Sequence, residues 1–123
     1  MLQFIHEVDS PALKACLDQP LLKVHTEEYY RQALQETGSL MVHSHYGGRF
    51  EQRTDGSIGR LGGDEERDGW FVKHAGELAG FSGHNGYELC SPVLTGHRHE
   101  GQKYALKQAE WACAYMKQVM ADS

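Results

Sequence analysis

The chain has 123 residues, of which 40% are hydrophobic and 24% charged, and its formal net charge is −5. This length predicts a single α+β domain, residues 1–123, that can bury one modest core. The negative charge argues against a broad nucleic-acid surface, which needs a basic face, and favours a protein as the macromolecular partner. No apolar run reaches the ~18 residues that a membrane span needs, so no membrane association is expected.

The cysteines and the first residues of the chain predict where the protein works. Cys16, Cys90 and Cys113 are widely spaced and form no Cys-x-x-Cys pair, a pattern typical of reduced thiols. The stretch Met1–Glu7 has no basic segment followed by a long apolar one, so no secretory signal is expected. We therefore expect a cytoplasmic protein.

The N-terminal third is predicted to contain one strand and two short helices. Residues 2–8 alternate weakly between apolar and polar side chains, which indicates a strand. A helix is expected from Ser10 to Pro20, because serine can cap a helix start and proline ends one. A second helix is expected from Thr26 to Gly38, with the threonine as its cap and the glycine at its exit.

From residue 39 the sequence changes to the two-residue period of a β-strand. One side of this strand carries Leu40 and Val42 and is expected to face the core. His43 and His45 lie on the other side, which we expect to face solvent.

Turn residues divide the next part of the chain into short segments. Thirteen of the fourteen glycines lie between Gly47 and Gly101, which favours tight turns over ligand-binding loops. Residues 62–69 contain four acidic residues and three glycines, and they are expected to form an exposed, mobile loop. Turns are predicted at residues 47–48, 55–56, 75–76 and 83–86, with strands over 49–53, 70–72, 78–81 and 87–90.

The C-terminal segment is amphipathic and predicts one long helix over residues 100–121. The predicted fold is therefore a meandering antiparallel sheet of about four to six strands, covered on one face by this helix. The other face, bearing His43 and His45, is expected to be open or to serve in association. Self-association of the chain through this face is one way to cover it.

The pair His43-x-His45 is the first candidate for metal binding. Two imidazoles on one face of a strand lie about 7 Å apart and can chelate a metal ion if a third ligand approaches. The surrounding string, Gly38 to Gly56 with Glu51 between, resembles the first motif of the cupins, a family of metal-binding barrels. The alternative is that both histidines are simply exposed on the solvent side of the strand.

A second group of metal-ligating residue types precedes the long helix. His97, His99 and Glu100, together with His84 and Cys90, supply the nitrogen, oxygen and sulfur donors that zinc prefers. The candidate metal ligands of the chain are therefore His43, His45, His97 and His99, and zinc is the candidate ion. In the alternative interpretation His99 and Glu100 only cap the helix.

Cys90 is a candidate nucleophile, because His84, His97 or His99 could act as its base. A cysteine at the end of a strand is more often a small buried apolar residue. Cys16 and Cys113 are interpreted as packing residues on apolar helix faces.

Two short stretches resemble parts of enzyme families. Residues 69–74 and 86–94, with Gly86-Tyr87-Glu88-Leu89-Cys90-Ser91-Pro92, resemble a stretch of the putative amidoligases, which join an amine to a carboxylate using ATP. This resemblance implies that Glu88 is a magnesium or nucleotide ligand. Residues 98–105 resemble the pyrophosphate-binding loop of the GNAT acetyltransferases.

The residues lead to two functional hypotheses from different classes. The first is a small acidic accessory protein, such as a phage-encoded or bacterial inhibitor or adaptor, that binds another macromolecule and needs no cofactor. The second is a small metal-dependent hydrolase or transferase that uses histidines of the glycine- and histidine-rich half.

Overall fold

A computed structural model describes residues 1–61, 65–89, 94–95, 98–99 and 101–122, with the backbone alone for residues 65–68, 94–95 and 98–99. Two 3-10 turns, Gln19–Leu21 and Gly38–Leu40, accompany the regular elements. In chain order these elements are α1 (Leu2–Val8), β1 (Ala15–Asp18), α2 (Glu27–Thr37), β2 (Met41–Tyr46), β3 (Arg49–Gln52), β4 (Ile58–Leu61), α3 (Glu65–Ala79), β5 (His84–Tyr87), β6 (Leu94–Thr95), β7 (Arg98–His99) and α4 (Gln102–Ala121).

The central sheet is parallel and has three strands in the order β1-β2-β5. Separate antiparallel pairs are formed by β3 with β4 and by the two-residue strands β6 and β7. The expected mixture of helix and strand is confirmed, but the expected antiparallel sheet of four to six strands is wrong. A parallel pair needs a long crossover, and here α2 lies in the chain between β1 and β2 and α3 between β2 and β5.

Helices α2, α3 and α4 pack on one face of this sheet and enclose the core. Tyr30 on α2 is fully buried, and its ring meets that of Phe71 on α3 with a centroid distance of 5.6 Å. The hydroxyl group of Tyr46 on β2 donates to the carbonyl oxygen of Ala112 on α4 at 3.2 Å. Leu17 of β1 belongs to the same buried cluster, so all three helices share one core with the sheet.

The order of strand and helix at the N-terminus is the reverse of the expected one. Residues 2–8 form α1, which ends at Asp9 in the left-handed conformation (φ 46°) with its amide donating to the carbonyl oxygen of Ile5. The expected helix from Ser10 to Pro20 instead contains β1, whose partner β2 lies more than twenty residues along the chain. This non-local pairing outweighs the local Ser-Pro signal for a helix.

Helix α2 confirms the expectation made from its two ends. The side-chain oxygen of Thr26 accepts a hydrogen bond from the amide of Tyr29 at 3.3 Å. Gly38 follows the last turn with φ 50°, a conformation that glycine adopts readily.

A bulge in β2 changes which of its residues face the core. Ala15 pairs with Met41 and the next residue of β1, Cys16, pairs with His43, so Val42 has no partner on β1. Met41 is therefore buried whereas Val42 is 48% exposed. Beyond the bulge Ser44, which lies two residues after Val42 on the side expected to face the core, is buried, so the expectation is wrong for Met41 and Val42 but correct for Ser44.

Residues 47–48 do not form the expected hairpin turn, because β2 and β3 belong to different sheets. The second turn is confirmed, since β3 and β4 are joined around Gly56, which has φ 86°. Asp55 stabilises this turn by accepting hydrogen bonds from the Ser57 hydroxyl group at 2.6 Å and the Ser57 amide at 2.9 Å.

Those hydrogen bonds make the stability of the turn depend on pH. The side-chain hydrogen bond from Ser57 lowers the pKa of Asp55 below its ordinary value, so its carboxylate stabilises the fold above the unfolded pKa of about 3.9. This stabilisation is lost as the pH falls through the folded pKa. We expect Asp55→Asn to lower the urea midpoint at pH 7, and the difference from the unsubstituted protein to disappear toward pH 2. A difference that stayed constant over this range would contradict the assignment.

Helix α3 replaces several expected strands and turns. Residues 65–69 of the expected mobile loop, the expected strand 70–72 and the turn 75–76 all lie within α3, while residues 62–64 lie outside the described residues. Phe71, Ala75 and Ala79 follow one another at four-residue spacing and are all buried. Their burial on one side of α3 explains why a helix forms here despite the β-favouring Trp-Phe-Val sequence.

The expected long C-terminal helix is confirmed as α4. Its buried residues include Ala112, Tyr115 and Met116, while Trp111 is partly buried. Gln108 is also buried and forms two hydrogen bonds to the backbone of Phe50, which attach the β3–β4 hairpin to the helix.

Candidate functional site

The candidate site lies on the face of the parallel sheet opposite the core, here called the open face. Side chains alternate along each strand, so the core residues Leu17 and Ser44 leave their neighbours on the other side. The open face carries Cys16 and Asp18 of β1, His43 and His45 of β2, and His84 and Gly86 of β5.

The two histidines expected to share a face do so, and they touch each other. The rings of His43 and His45 lie edge to face with a centroid distance of 4.8 Å. Both rings lie over Gly86, where an added Cβ atom would be 3.1 Å from His45 and 3.3 Å from His43. Glycine at this position therefore leaves room for the pair of imidazoles.

Two donors from β1 approach the same nitrogen of His45. The Sγ atom of Cys16 lies 3.9 Å from Nδ1 of His45. An oxygen of the Asp18 carboxylate, Oδ2, lies 3.5 Å from that nitrogen. The other oxygen, Oδ1, is buried and has no hydrogen-bond partner among the described residues. A sulfur donor and an oxygen donor from β1 therefore both approach one nitrogen of His45.

The surroundings disfavour the charged forms of both β1 side chains. Partial burial and the nearby Glu88 carboxylate raise the pKa of Asp18, and the contact with His45 offsets part of this increase. Partial burial and the neighbouring Asp18 raise the pKa of the Cys16 thiol. Burial is the larger cause for both groups, and a neighbouring carboxylate adds to it in each case.

This arrangement does not prepare Cys16 for nucleophilic catalysis. A Cys-His-Asp relay uses one ring nitrogen of histidine for the thiol and the other for the carboxylate. Here both groups approach Nδ1 of His45, and the raised pKa of Cys16 works against formation of the thiolate.

The structure brings together one half of the residues expected to bind metal. His43 and His45 meet on the open face, joined by His84, which is paired in register with His43. The side chain of His99 on β7 is not described, and His97, Cys90 and Glu100 lie outside the described residues. In the described part of the chain, no three His, Cys, Asp or Glu side chains are already arranged to hold a metal ion.

Sequence reasoning missed Cys16 and Asp18, which were placed on a helix. The signal that could have found them is the alternation Ala15-Cys16-Leu17-Asp18, in which the apolar residues are buried and the other two lie on the open face.

Glu88 directly follows β5, and its amide donates to the carbonyl oxygen of Tyr46 at 2.9 Å. This places Glu88 at the carboxyl end of the parallel strands, where α/β sheets often bind ligands.

A groove of about 550 Å³ lies between the β3–β4 hairpin, α3 and α4. The basic side chains that line this groove are those of Arg53, Lys73 and His74. The His74 ring stacks on Trp70 at 4.2 Å, and its Nδ1 atom donates to the Trp70 carbonyl oxygen at 2.8 Å. Lys73 donates to the carbonyl oxygen of Asp122 at 3.4 Å. These contacts within the chain account for His74 and Lys73 without a ligand.

No protein-family model matches the chain, and no curated protein or solved structure shows significant similarity to it. Within the described ranges, no helix has the length and apolar character needed to cross a membrane.

Proposed function

We propose that this chain is a small accessory protein that binds a helix of another protein through its open face. The observation that supports this proposal is the uneven coverage of the parallel sheet. Parallel sheets are usually covered by helices on both faces, because their strands are connected by helical crossovers. Here α2, α3 and α4 pack on one face, while Cys16 and His84 on the other are exposed.

Charge indicates which kind of helix would bind there. Asp18 and Glu88 are close enough for Glu88 to raise the pKa of Asp18, and the chain as a whole has a net charge of −5. A partner helix with lysine or arginine on its contacting side would place positive charge near these two carboxylates and so favour their ionised forms. The proposed partner is therefore a protein with a cationic amphipathic helix.

The bulge in β2 supplies an apolar contact near the amino end of the strand, whereas the carboxylates lie near its carboxyl end. Val42 is 48% exposed, although it lies within a strand of the central sheet. Apolar side chains of the partner helix would cover Val42 while its cationic side chains reach Asp18 and Glu88. Apolar contact combined with charge pairing is typical of interfaces with a defined orientation.

The proposal can be tested by photo-crosslinking in cells that naturally express the protein. A photoreactive phenylalanine derivative is introduced at Val42 and, as a matched control, at Leu106 on α4, which is 58% exposed. We expect one discrete adduct from position 42, whose crosslinked peptide carries lysine or arginine at helical spacing, and no such adduct from position 106.

Charge reversal shows whether the adduct depends on the open face. Combining Asp18→Lys with Glu88→Lys should abolish the adduct, because like charges would then face the partner helix. The control Glu77→Lys changes an exposed acid on α3 and should leave the adduct unchanged. The proposal is wrong if the position 42 adduct is absent, survives the charge reversal, or is a dimer of this chain.

A metal-dependent hydrolase or transferase is the second candidate function. The observation that favours it is the approach of Cys16 and Asp18 to His45, since these residues would hold a zinc ion and the ion would supply Lewis-acid chemistry for hydrolysis. This candidate requires a bound metal ion. Its test is hydrolytic activity that zinc restores after chelation and that His45→Gln removes.

A further inference from the structure

We propose that Cys16, Asp18 and His45 are the protein ligands of a zinc ion on the open face. This site goes beyond the binding of a partner helix, because it would form in the isolated chain. It also differs from the set of four histidines that the sequence suggested, since two of its three ligands come from β1.

The separations of the sulfur and oxygen donors from Nδ1 of His45 are close to those around tetrahedral zinc. With Zn–S near 2.3 Å and Zn–N and Zn–O near 2.0 Å, the N···S separation would be about 3.5 Å and the N···O separation about 3.3 Å. The observed separations from Nδ1 of His45 are 3.9 Å to Sγ of Cys16 and 3.5 Å to Oδ2 of Asp18. Binding would require the Cys16 and Asp18 side chains to rotate until Sγ and Oδ2 lie about 3.5 Å apart.

The sheet itself holds these donors near one another. Cys16 and Asp18 are two residues apart on β1, so they point to the same side of the strand. His45 is the register partner of Asp18 on the adjacent strand β2. Ligands placed on paired strands are held more accurately than ligands on loops, which lowers the entropy lost when the ion binds.

The charges of the three groups also suit a divalent cation. A thiolate and a carboxylate together balance the charge of Zn²⁺, and neutral imidazole is a common zinc ligand. Zinc would displace the Cys16 proton and occupy the side of Nδ1 that now faces both neighbours. The buried Oδ1 atom of Asp18, which lacks a hydrogen-bond partner among the described residues, would remain beside the ion.

Cobalt substitution tests this site with a spectroscopic signal that requires a thiolate. Purified full-length protein without an affinity tag is titrated with Co²⁺, and zinc affinity is then measured by competition with a chromophoric chelator. We expect one equivalent of Co²⁺ to produce a near-ultraviolet thiolate-to-cobalt absorption band, which zinc abolishes. Cys16→Ser and His45→Gln should remove the band and weaken zinc binding more than about 100-fold, since even outer-shell changes cost 10- to 100-fold.

Two variants serve as matched controls. Cys113→Ser changes another exposed cysteine, on α4, and His6→Gln changes an exposed histidine on α1. Both should retain the band and the zinc affinity. Circular dichroism of the metal-free variants checks that each one is folded.

The inference is wrong if the folded protein shows no saturable binding, or if the band persists after Cys16→Ser. Because the titration uses the chain alone, its outcome is independent of the crosslinking at Val42. Zinc binding without a crosslinked partner would contradict the proposed function alone. A crosslinked partner without zinc binding would contradict this inference alone.

Discussion

Gln108→Met is expected to destabilise the protein by about 2–6 kcal/mol. The buried Gln108 side chain accepts a hydrogen bond from the Phe50 amide at 2.8 Å and donates one to the Phe50 carbonyl oxygen at 3.0 Å. Gln108 is 2% exposed and Phe50 is 1% exposed, so water cannot easily replace either bond. Methionine leaves both backbone groups of Phe50 unpaired, and each buried unpaired group costs about 1–3 kcal/mol.

The measurement is the urea midpoint, with hydrogen exchange of the Phe50 amide as a local readout. Gln118→Met, at an exposed position of the same helix, controls for the change in residue type. Its free energy of unfolding should stay within about 0.5 kcal/mol of that of the unsubstituted protein. Exchange at Phe50 should become faster in Gln108→Met alone. An unchanged midpoint and unchanged protection at Phe50 would show that α4 does not hold the β3–β4 hairpin in this way.

Elements with local signals were predictable from the sequence. Helix α2 has a threonine cap and a glycine exit, and α4 has an amphipathic pattern over twenty residues, so each can be recognised within its own segment. The β3–β4 hairpin was likewise indicated by its Asp55-Gly56 turn.

The parallel sheet could not be predicted in this way, because its pairing is non-local. Strand β1 has four residues and becomes a strand by pairing with β2, across the whole of α2. Helix α3 had a signal that was overlooked, namely the four-residue spacing of Phe71, Ala75 and Ala79. The β-branched and aromatic residues at its start concealed this spacing.

The candidate site shows the same division between local and non-local information. His43 and His45 were correctly placed together on the outer side of a strand, since the two-residue period is a local signal. The alternation in β1 could have placed Cys16 and Asp18 on one side of a strand, but only the non-local pairing of β1 with β2 brings them to the histidines. The bulge at Val42 is a further non-local feature, and it exposes an apolar side chain that was expected to be buried.

Gly83 and Gly86 have a role in packing that the frequent occurrence of glycine in turns does not suggest. Gly83 and Gly86 were expected to form a turn, but Gly86 lies within β5 and Gly83 directly precedes it. A Cβ atom added at Gly83 would collide with the carbonyl oxygen of Val42 and approach the Phe81 ring. Gly83 therefore allows β5 to lie close to β2, while Gly86 leaves room for the rings of His43 and His45.

Gly83→Ala is accordingly expected to cost about 3 kcal/mol, near the upper end of the usual penalty for overpacking. The collision involves a backbone oxygen in the bulge of β2, which cannot move without disturbing the pairing of His43 with His84. The measurement is the urea midpoint, together with the NMR chemical shifts of His43 and His45 as reporters of the open face.

Gly76→Ala provides the matched control, because it adds the same methyl group inside α3. There the new Cβ atom would lie 3.5 Å from the Phe81 carbonyl oxygen, an ordinary contact. Alanine is favoured over glycine in a helix by about 1 kcal/mol, so this variant should be more stable than the unsubstituted protein. We expect Gly83→Ala to lower the stability and Gly76→Ala to raise it, and the His43 and His45 signals to shift in Gly83→Ala alone. This result would identify the close approach of the two strands as the reason for glycine at position 83. A neutral Gly83→Ala would contradict the close approach of β5 to Val42, and with it the arrangement of the open face described above.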